Sequence, residues 1–165
     1  MSIKFFDQIV PWSARALLVV GAVALFGDNA FAGECPADKV AANSVTTGPN
    51  TPSGVKDMLI GSIDLAQKAV AFKGEQFRMR ELIVEPNGVV PWHSHSERPA
   101  IIYVVEGSIT EYRSSCAVPI EHKAGEVTTE FGADLSHWWK NNTNKRTVLL
   151  SSDILHDTSK EKQSM

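Results

Sequence analysis

Short runs of β-branched and aromatic residues, separated by turn-forming residues, follow one another through most of this chain. The eight runs cover residues 69–72, 76–85, 89–95, 100–105, 108–113, 126–130, 137–140 and 146–154. Turn formers at residues 86–88, 106–107 and 141–144 favour tight connections between them. No segment of sufficient length has a helical period. The pattern predicts an all-β sandwich or barrel.

The first 32 residues have the pattern of a secretion signal. Lys4 and Arg15 precede an uncharged, mostly apolar run over residues 16–26, which is too short to cross a bilayer comfortably. Ala30-Phe31-Ala32 has the small-x-small form of a signal-peptidase site. We therefore expect cleavage between Ala32 and Gly33, and a periplasmic or secreted protein that has no membrane contact afterwards. The alternative is an uncleaved membrane anchor.

The remainder, residues 33–165, has the length of one domain. We divide it into an N-terminal arm at 33–57, a barrel at 58–155 and a charged C-terminal tail at 156–165. The formal net charge of the chain is −3, and no basic stripe is visible, which argues against a nucleic-acid partner. The two cysteines, Cys35 and Cys116, both follow the expected cleavage site, and in an oxidising compartment they would form a disulfide. Two unrelated thiols are the alternative.

Three of the five histidines lie in strand-like runs. His93 and His95 are two residues apart, so on an extended chain they point to the same side. His137 lies in a second such run, and inside a closed sheet the three side chains could converge on a metal. His122 and His156 lie beside a turn-like segment and the tail, where we expect ordinary surface residues.

These histidines carry a resemblance to the cupins. Residues 87–107 resemble the first conserved cupin motif, with Gly88, the His93-Ser94-His95 triplet and Gly107. Residues 125–141 resemble the second motif, with His137 and Asn141. The resemblance implies a single-domain jelly-roll β-barrel that holds one divalent metal, Fe, Mn, Zn, Ni or Cu, at His93, His95 and His137. It also implies a homodimer that pairs through edge strands.

Three departures from the cupin pattern stand out. Gly88 is one residue closer to His93 than is common, and in the second motif Phe131 and Ala133 replace the usual proline and glycine, with His137 one residue late. The most consequential is Ala100, which occupies the position of the acidic ligand. The sequence therefore predicts a site without its usual carboxylate.

Two groups could supply the absent charge. A substrate oxyanion could complete the metal shell, because three neutral histidines leave the metal charge uncompensated. Glu97 has the same strand parity as His93 and His95, so it is the candidate base or ligand. Against this, Arg98-Pro99 indicates a turn, and Glu97 could be a solvated residue that pairs with Arg98.

Aromatic residues near the histidines suggest a pocket for a flat organic ligand. The four candidates for its walls are Trp92, Tyr103, Trp138 and Trp139, although each could equally belong to the core or an interface. Arg78 and Arg80 alternate with Phe77 and Met79, and we expect the arginines on the exterior. If the strand were turned the other way, one of them could meet an acidic substrate.

These observations lead to three hypotheses about function. The first is an exported enzyme that acts on a small organic molecule by metal-dependent dioxygenase or isomerase/lyase chemistry. The second is a non-catalytic periplasmic protein that binds a small molecule or a metal. The third is a structural barrel whose histidines are vestigial. A fold does not determine an activity, so whether the chain is an enzyme stays open at this point.

Overall fold

The computed structural model describes residues 33–156, which form a β-barrel. The expected signal sequence and all but the first residue of the expected tail lie outside this range. The strands are β1 (Ser53–Asp64), β2 (Glu75–Ser94), β3 (Ala100–Glu106), β4 (Ser108–Arg113), β5 (Ile120–Lys123), β6 (Val127–Glu130), β7 (Ser136–Lys140) and β8 (Thr147–His156). Short 3₁₀ turns cover Ala37–Lys39, Leu65–Gln67 and Val70–Phe72.

One antiparallel sheet, with the strand order β5-β4-β7-β2-β8-β3-β6, forms the barrel, and β1 pairs with β2 outside this path. The order is not sequential, because β8 lies between β2 and β3. Interior side chains close the barrel between strands that are not neighbours in the sheet. The Arg113 guanidinium on β4, for example, donates a 3.0 Å hydrogen bond to the Thr128 hydroxyl on β6.

The longest strand, β2, differs from the sequence prediction. We expected two strands and a turn at residues 86–88, but the strand is continuous from Glu75 to Ser94. Asn87 has a φ of 62°, and its backbone N–H donates to the Asn141 carbonyl, so the turn residues produce a local irregularity rather than a reversal. At Gly88 a Cβ would lie 2.7 Å from the Gly54 carbonyl oxygen, so this close approach to β1 requires glycine.

Three other assignments are corrected. Residues 69–72, expected as a strand, contain a 3₁₀ turn, and two strands were not predicted. The first, β1, pairs only with β2 and is largely exposed, so it lacks an alternating apolar pattern and begins at Ser53, inside the range we assigned to the arm. The second, β5, has four residues, two of them charged. Strands β3, β4, β6, β7 and β8 lie where the sequence predicted them.

The hydrophobic core fills one part of the barrel and leaves another part polar. Its buried members are Leu82, Val84, Ala100, Ile102, Val104, Ile109, Trp139 and Leu149. Each large apolar side chain contributes about 1.5–3 kcal/mol by its removal from water. Several ionisable side chains are as deeply buried as this core, among them Glu111, His122, Glu130 and His137. Buried charge is costly unless it is paired, and buried ionisable groups cluster at functional sites, so this polar part of the barrel is the candidate site.

The N-terminal arm is attached to the barrel by covalent and hydrogen bonds. Cys35 and Cys116 form the predicted disulfide, and Val40 forms an isolated β-bridge with Cys116. Further along, Gly48 lies against the Trp138 ring so closely that a Cβ would come within 2.4 Å of it. Over residues 33–156 no helix has both the length and the apolar character needed to cross a membrane.

Candidate metal centre

The three histidines selected from the sequence meet inside the barrel. His93 on β2 lies directly opposite His137 on β7 in the strand register, and His95 follows two residues later. The ring centroids are separated by 4.9 Å (His93–His95), 4.6 Å (His93–His137) and 4.9 Å (His95–His137). One nitrogen from each ring lies within 4.8 Å of the other two. We call these residues the histidine triad.

Hydrogen bonds fix the orientation of every ring in the triad. His93 Nδ1 lies 2.7 Å from the Pro91 carbonyl oxygen, and His95 Nδ1 lies 2.7 Å from the Arg98 carbonyl oxygen. His137 Nδ1 bonds the Glu111 carboxylate. All three partners can only accept, so each Nδ1 carries the proton and each Nε2 presents a lone pair. This is the arrangement that orients histidine ligands in metal sites.

The indole N–H of Trp139 also lies 3.1 Å from His137 Nδ1. That nitrogen cannot accept this hydrogen bond while it donates to Glu111. The carboxylate is the stronger partner, because a charged acceptor forms the stronger hydrogen bond.

The free nitrogens fit a cation. His93 Nε2 and His137 Nε2 are 3.1 Å apart, so two lone pairs face each other unless a proton or a metal lies between them. Burial, together with the neighbouring His137, lowers the pKa of His93 to about 4 and that of His95 to about 3, which disfavours the proton at neutral pH. Among the residues that the structure describes, His95 Nε2 is buried without a hydrogen-bond partner. A divalent metal would satisfy all three nitrogens.

A carboxylate is present beside the triad, although not at the position expected from the sequence. Ala100 on β3 lies opposite Glu130 on β6 in the strand register. Glu130 Oε2 is 3.1 Å from His95 Nε2, an approach that lacks the direction of a hydrogen bond, and Glu130 Oε1 is buried without a partner within residues 33–156. Burial raises the pKa of Glu130 to about 7. The prediction of a site without a carboxylate is therefore wrong, because the neighbouring strand supplies one.

A buried hydrogen-bond network holds the Nδ1 side of the His137 ring. Glu111 accepts hydrogen bonds from Arg113 Nε at 2.7 Å and from His122 Nε2 at 2.9 Å, in addition to its bond with His137. Burial alone would raise the pKa of Glu111, but the bonds from His122 and His137 outweigh it and hold that pKa well below its usual range. Although Glu111, Glu130 and His137 also cluster closely, Glu111 already has three donors. We therefore assign it to orientation rather than ligation.

The expectation that His122 is a surface residue is wrong. Its ring is fully buried and stacks on Trp139 with a centroid distance of 4.4 Å. Gly33, the residue expected to follow the cleavage site, lies so close that a Cβ there would come within 2.5 Å of His122 Nδ1. His156 is exposed, as expected, and bonds Glu75 at 2.9 Å.

A cavity of about 230 Å³ opens beside the triad. His93, His95 and Glu130 line it together with apolar groups from β2, β3, β7 and β8, among them Leu82, Ile102, Trp139 and Leu149. Since a water molecule occupies about 30 Å³ of liquid, the cavity holds roughly seven or eight groups of that size. This volume fits a small molecule and is below the range of drug-sized pockets.

Two arginines, Arg80 and Arg98, also line this cavity. The position of Arg80 contradicts the expectation that Arg78 and Arg80 face outward. Arg80 points inward, as do Leu82 and Val84 on the same face of β2, whereas Phe77 and Met79 are exposed. The second cavity arginine is Arg98. We refer to Arg80 and Arg98 as the arginine wall.

Most of the other residues selected from the sequence lie apart from the triad, and Trp139 is the exception. Glu97 is exposed and belongs to neither ligand cluster in the described part of the chain. Arg98, its expected partner, instead lies 3.8 Å from Asp153. Of the four aromatic candidates, Trp139 lines the cavity. Trp138 stacks on Tyr112 at 4.0 Å on the outer face, Tyr103 is 41% exposed, and Trp92 lies outside the cavity lining.

Strand parity contains a signal for three residues that the sequence prediction missed, although not for Arg98, which lies between β2 and β3. Arg80 has the parity of Leu82, and Glu111 lies between Ile109 and Arg113 on the inward face of β4. Glu130 alternates with exposed residues of β6 in the same way. Parity alone does not say which face is inward. Only the pairing of distant strands determines that.

Comparison with known proteins agrees with this architecture. The family model described as "Cupin domain" matches residues 80–153, a little under half of the chain. No curated protein matches the sequence significantly. Among solved structures, the cupin domain of Schizosaccharomyces pombe Cnp3 is similar, with 12% identity over 69% of this chain and 74% of that chain and a TM-score of 0.49.

Two further solved structures are similar to the same extent. A predicted oxalate decarboxylase from Thermotoga maritima has 22% identity over 70% of this chain and 97% of that chain, with a TM-score of 0.49. An oxalate oxidase in complex with the substrate analogue glycolate has 18% identity over 70% and 62% of the two chains, with a TM-score of 0.47. The region matched by the family model includes His93, His95 and His137. The strands and their pairing confirm the predicted all-β barrel, and the family match over residues 80–153 agrees with the jelly-roll cupin type of that prediction.

Proposed function

We propose that this protein is an exported, metal-dependent enzyme that acts on a small organic molecule in the cavity beside the histidine triad. One observation carries the proposal. The three Nε2 lone pairs converge while every Nδ1 is occupied by an acceptor behind it. Histidine rings that are oriented, neutral, buried and this closely spaced are typical of a set of metal ligands and unusual for histidines that only fill a core.

The metal would be one divalent ion, and imidazole ligands suit zinc, iron, nickel, copper and manganese to different degrees. Bound there, it would act as a Lewis acid toward a substrate oxygen or support dioxygen-dependent cleavage. His93, His95 and His137 are its ligands in this proposal. The Glu111 carboxylate keeps the His137 ring in place and increases the basicity of its free nitrogen.

Glu130 is our candidate for proton transfer, replacing Glu97 in that role. Its carboxyl group lines the cavity and lies 3.1 Å from His95 Nε2. Its place at the cavity wall puts it within reach of a bound molecule, as a general acid or base requires, and in the metal-free protein burial raises its pKa to about 7. In the exposed segment at residues 96–97, no side chain lines the cavity.

The proposal that the protein is exported rests on the disulfide as well as on the pattern of the first 32 residues. Disulfides such as Cys35–Cys116 persist in oxidising compartments and are rare in the cytosol. Peptide sequencing of the exported protein should begin at Gly33. An intact Met1 would contradict the proposed cleavage.

The decisive experiment is the metal content of protein purified from the periplasm, because the compartment determines which ion is available. We expect one metal per chain in the wild type and in His156→Ala, the control for loss of an exposed histidine. His93→Ala and His137→Ala should lose it. If neither the purified nor a reconstituted wild type holds metal, the proposal fails.

Glu130→Gln separates catalysis from binding. The variant should retain metal and lose turnover, measured as oxygen uptake or product formation with a panel of small organic acids, enols and phenols. Loss of metal in Glu130→Gln would instead make Glu130 a fourth ligand. A wild type that holds metal but turns over none of these compounds would favour the non-catalytic binding protein.

A further inference from the structure

The arginine wall is the part of the cavity that the metal-site proposal does not use. Arg80 and Arg98 come from different segments, yet both line the same 230 Å³ space as His93, His95 and Glu130. Their side chains are only 17% and 26% exposed. Arginine is the side chain best suited to bind a planar carboxylate, through its forked donors.

The carboxylates around these arginines do not balance their charge. Arg78, Arg80 and Arg98 share Asp153, which is fully buried, and Arg80 also pairs with the half-exposed Asp57. Three positive charges thus face two negative charges, apart from Glu130, which also lines the cavity and attracts Arg98. Arg78 forms the closest pair with Asp153, with donor–acceptor distances of 3.0 and 2.7 Å.

Arg98 is the least satisfied of the three. Its nearest carboxylate oxygen, on Asp153, is 3.8 Å from Nε, beyond hydrogen-bond distance. Within residues 33–156, the Nε atoms of Arg80 and Arg98 are both buried without a hydrogen-bond partner. The Arg98 side chain forms no hydrogen bond within this range, so the outer nitrogens of its guanidinium group have the donors for one more anionic group.

Arg98 is also tied to the metal centre by its backbone. Its carbonyl oxygen accepts the hydrogen bond that orients His95, while its side chain reaches into the cavity. A ligand held by Arg98 would therefore lie in the space that the triad borders. A metal at the triad would add two positive charges and Glu130 at most one negative charge, which again favours an anion.

We propose that the arginine wall binds a carboxylate, so that the cavity accepts a small organic acid carrying a second oxygen that reaches the histidine triad. The inference rests on the proposed function only for that second contact. The cavity volume corresponds to seven or eight water-sized groups, which fits an acid such as malonate or succinate. The arginines hold one end, and the apolar groups of Leu82, Ile102 and Leu149 contact the carbon chain.

The test is calorimetric titration of malonate, succinate and glutarate, each beside its uncharged diamide, into zinc-loaded and metal-free protein. We expect at least one dicarboxylate to bind, and its diamide to bind at least tenfold more weakly. Arg98→Ala should weaken the dicarboxylate at least tenfold while zinc stoichiometry is unchanged. Arg146→Ala removes an exposed arginine that pairs with Glu106 and is the matched control, with no expected effect.

The outcomes distinguish this inference from the metal-site proposal. Zinc binding with no dicarboxylate binding, or equal dicarboxylate binding by the wild type and Arg98→Ala, overturns the arginine subsite and leaves the metal site standing. Arg98-dependent binding in a protein that takes up neither zinc nor any other of the candidate metals supports the subsite and overturns the metal site. Arg98→Lys should recover only part of the affinity if the fork matters, because an ammonium group lacks its geometry.

Discussion

Replacing Glu111 by glutamine tests whether the buried network sets the affinity of the metal centre. The Oε1 atom of Glu111 contacts Arg113 and His137, and its Oε2 atom contacts His122. Glutamine keeps the shape but has one oxygen and one NH₂ group. If its oxygen faces Arg113 and His137, its NH₂ group faces His122 Nε2, which must then become an acceptor.

That rearrangement weakens the hydrogen bonding of both His122 and His137. His122 would carry its proton on Nδ1, which is buried and has no hydrogen-bond partner in the described range. His137 would lose an anionic acceptor, and outer-shell changes of this kind typically lower metal affinity 10- to 100-fold, or about 1.4–2.7 kcal/mol. Arg113, only 7% exposed, keeps Glu34 at 3.2 Å and Thr128. We therefore expect a loss of about 2–3 kcal/mol in the free energy of unfolding rather than failure to fold.

Affinity is measured by competition with a chromophoric zinc chelator at a temperature where circular dichroism shows the variant to be folded. Unfolding in urea gives the stability separately. The control is Glu121→Gln, which removes a carboxylate that is 58% exposed and 3.7 Å from Lys123. Neither the zinc affinity nor the stability of that variant should change measurably.

The result that would refute this reasoning is a folded Glu111→Gln variant whose zinc affinity lies within twofold of the wild type. The carboxylate would then be a structural partner of Arg113 and His122 that does not act on the metal centre. A variant that loses stability but retains affinity would lead to the same conclusion. An affinity loss that persists in the folded variant, with Glu121→Gln unaffected, is expected only if Glu111 acts through His137.

Three further predictions concern pH, the disulfide and assembly. Metal-free protein should lose about 1.4 kcal/mol in the free energy of unfolding per pH unit as pH falls from 6 to 5. The lowered pKa values of His93 and His95 mean that these two residues bind protons only after unfolding, whereas Glu130, with its raised pKa, already holds one in the folded state, so unfolding takes up about one net proton. Thermal unfolding across this range measures the effect, and stability that rises on acidification would contradict it. Replacing Cys35 and Cys116 by serine removes a cross-link between residues 81 positions apart and should lower the free energy of unfolding, measured in urea, by about 4 kcal/mol. An unchanged urea midpoint would show that the arm is held by its other contacts. Light scattering should give the mass of a homodimer, and a monomer at micromolar concentration would contradict that expectation.

Residue type was sufficient to predict several strands. The runs that form β3, β4 and β7 are short stretches rich in β-branched and aromatic residues between turn formers, although the buried faces of β4 and β7 also carry Glu111, Arg113 and His137. The exposed edge strand β1 has no such pattern, and its existence depends on pairing with β2. The turn predicted at residues 86–88 failed because the hydrogen bonds of Asn87 and Gly88 with Asn141 hold both halves of β2 in line.

The triad was predictable because its geometry is mostly local. His93 and His95 share a face by parity, and the resemblance to a second motif added His137. What surrounds the triad is not local: Arg80 faces inward because β2 pairs with β8, where Ser151 and Asp153 point into the barrel. The alternation of Arg78 and Arg80 with Phe77 and Met79 shows two faces but not which one is inside, and the sequence prediction chose the wrong one.

Glu130 shows how a neighbouring strand can place a carboxylate beside a motif that lacks one in the sequence. Ala100 and Glu130 are buried cross-strand partners, and such pairs have Cβ atoms only about 4.5–5.5 Å apart. A carboxylate on β6 can therefore reach the same side of His95 as one carried on β3. Its surroundings still differ, since Glu130 is nearly fully buried and its pKa is raised to about 7. In the metal-free protein a carboxyl group in that state exchanges a proton near neutral pH, and its place opposite Ala100 therefore affects the charge of the site as well as its shape.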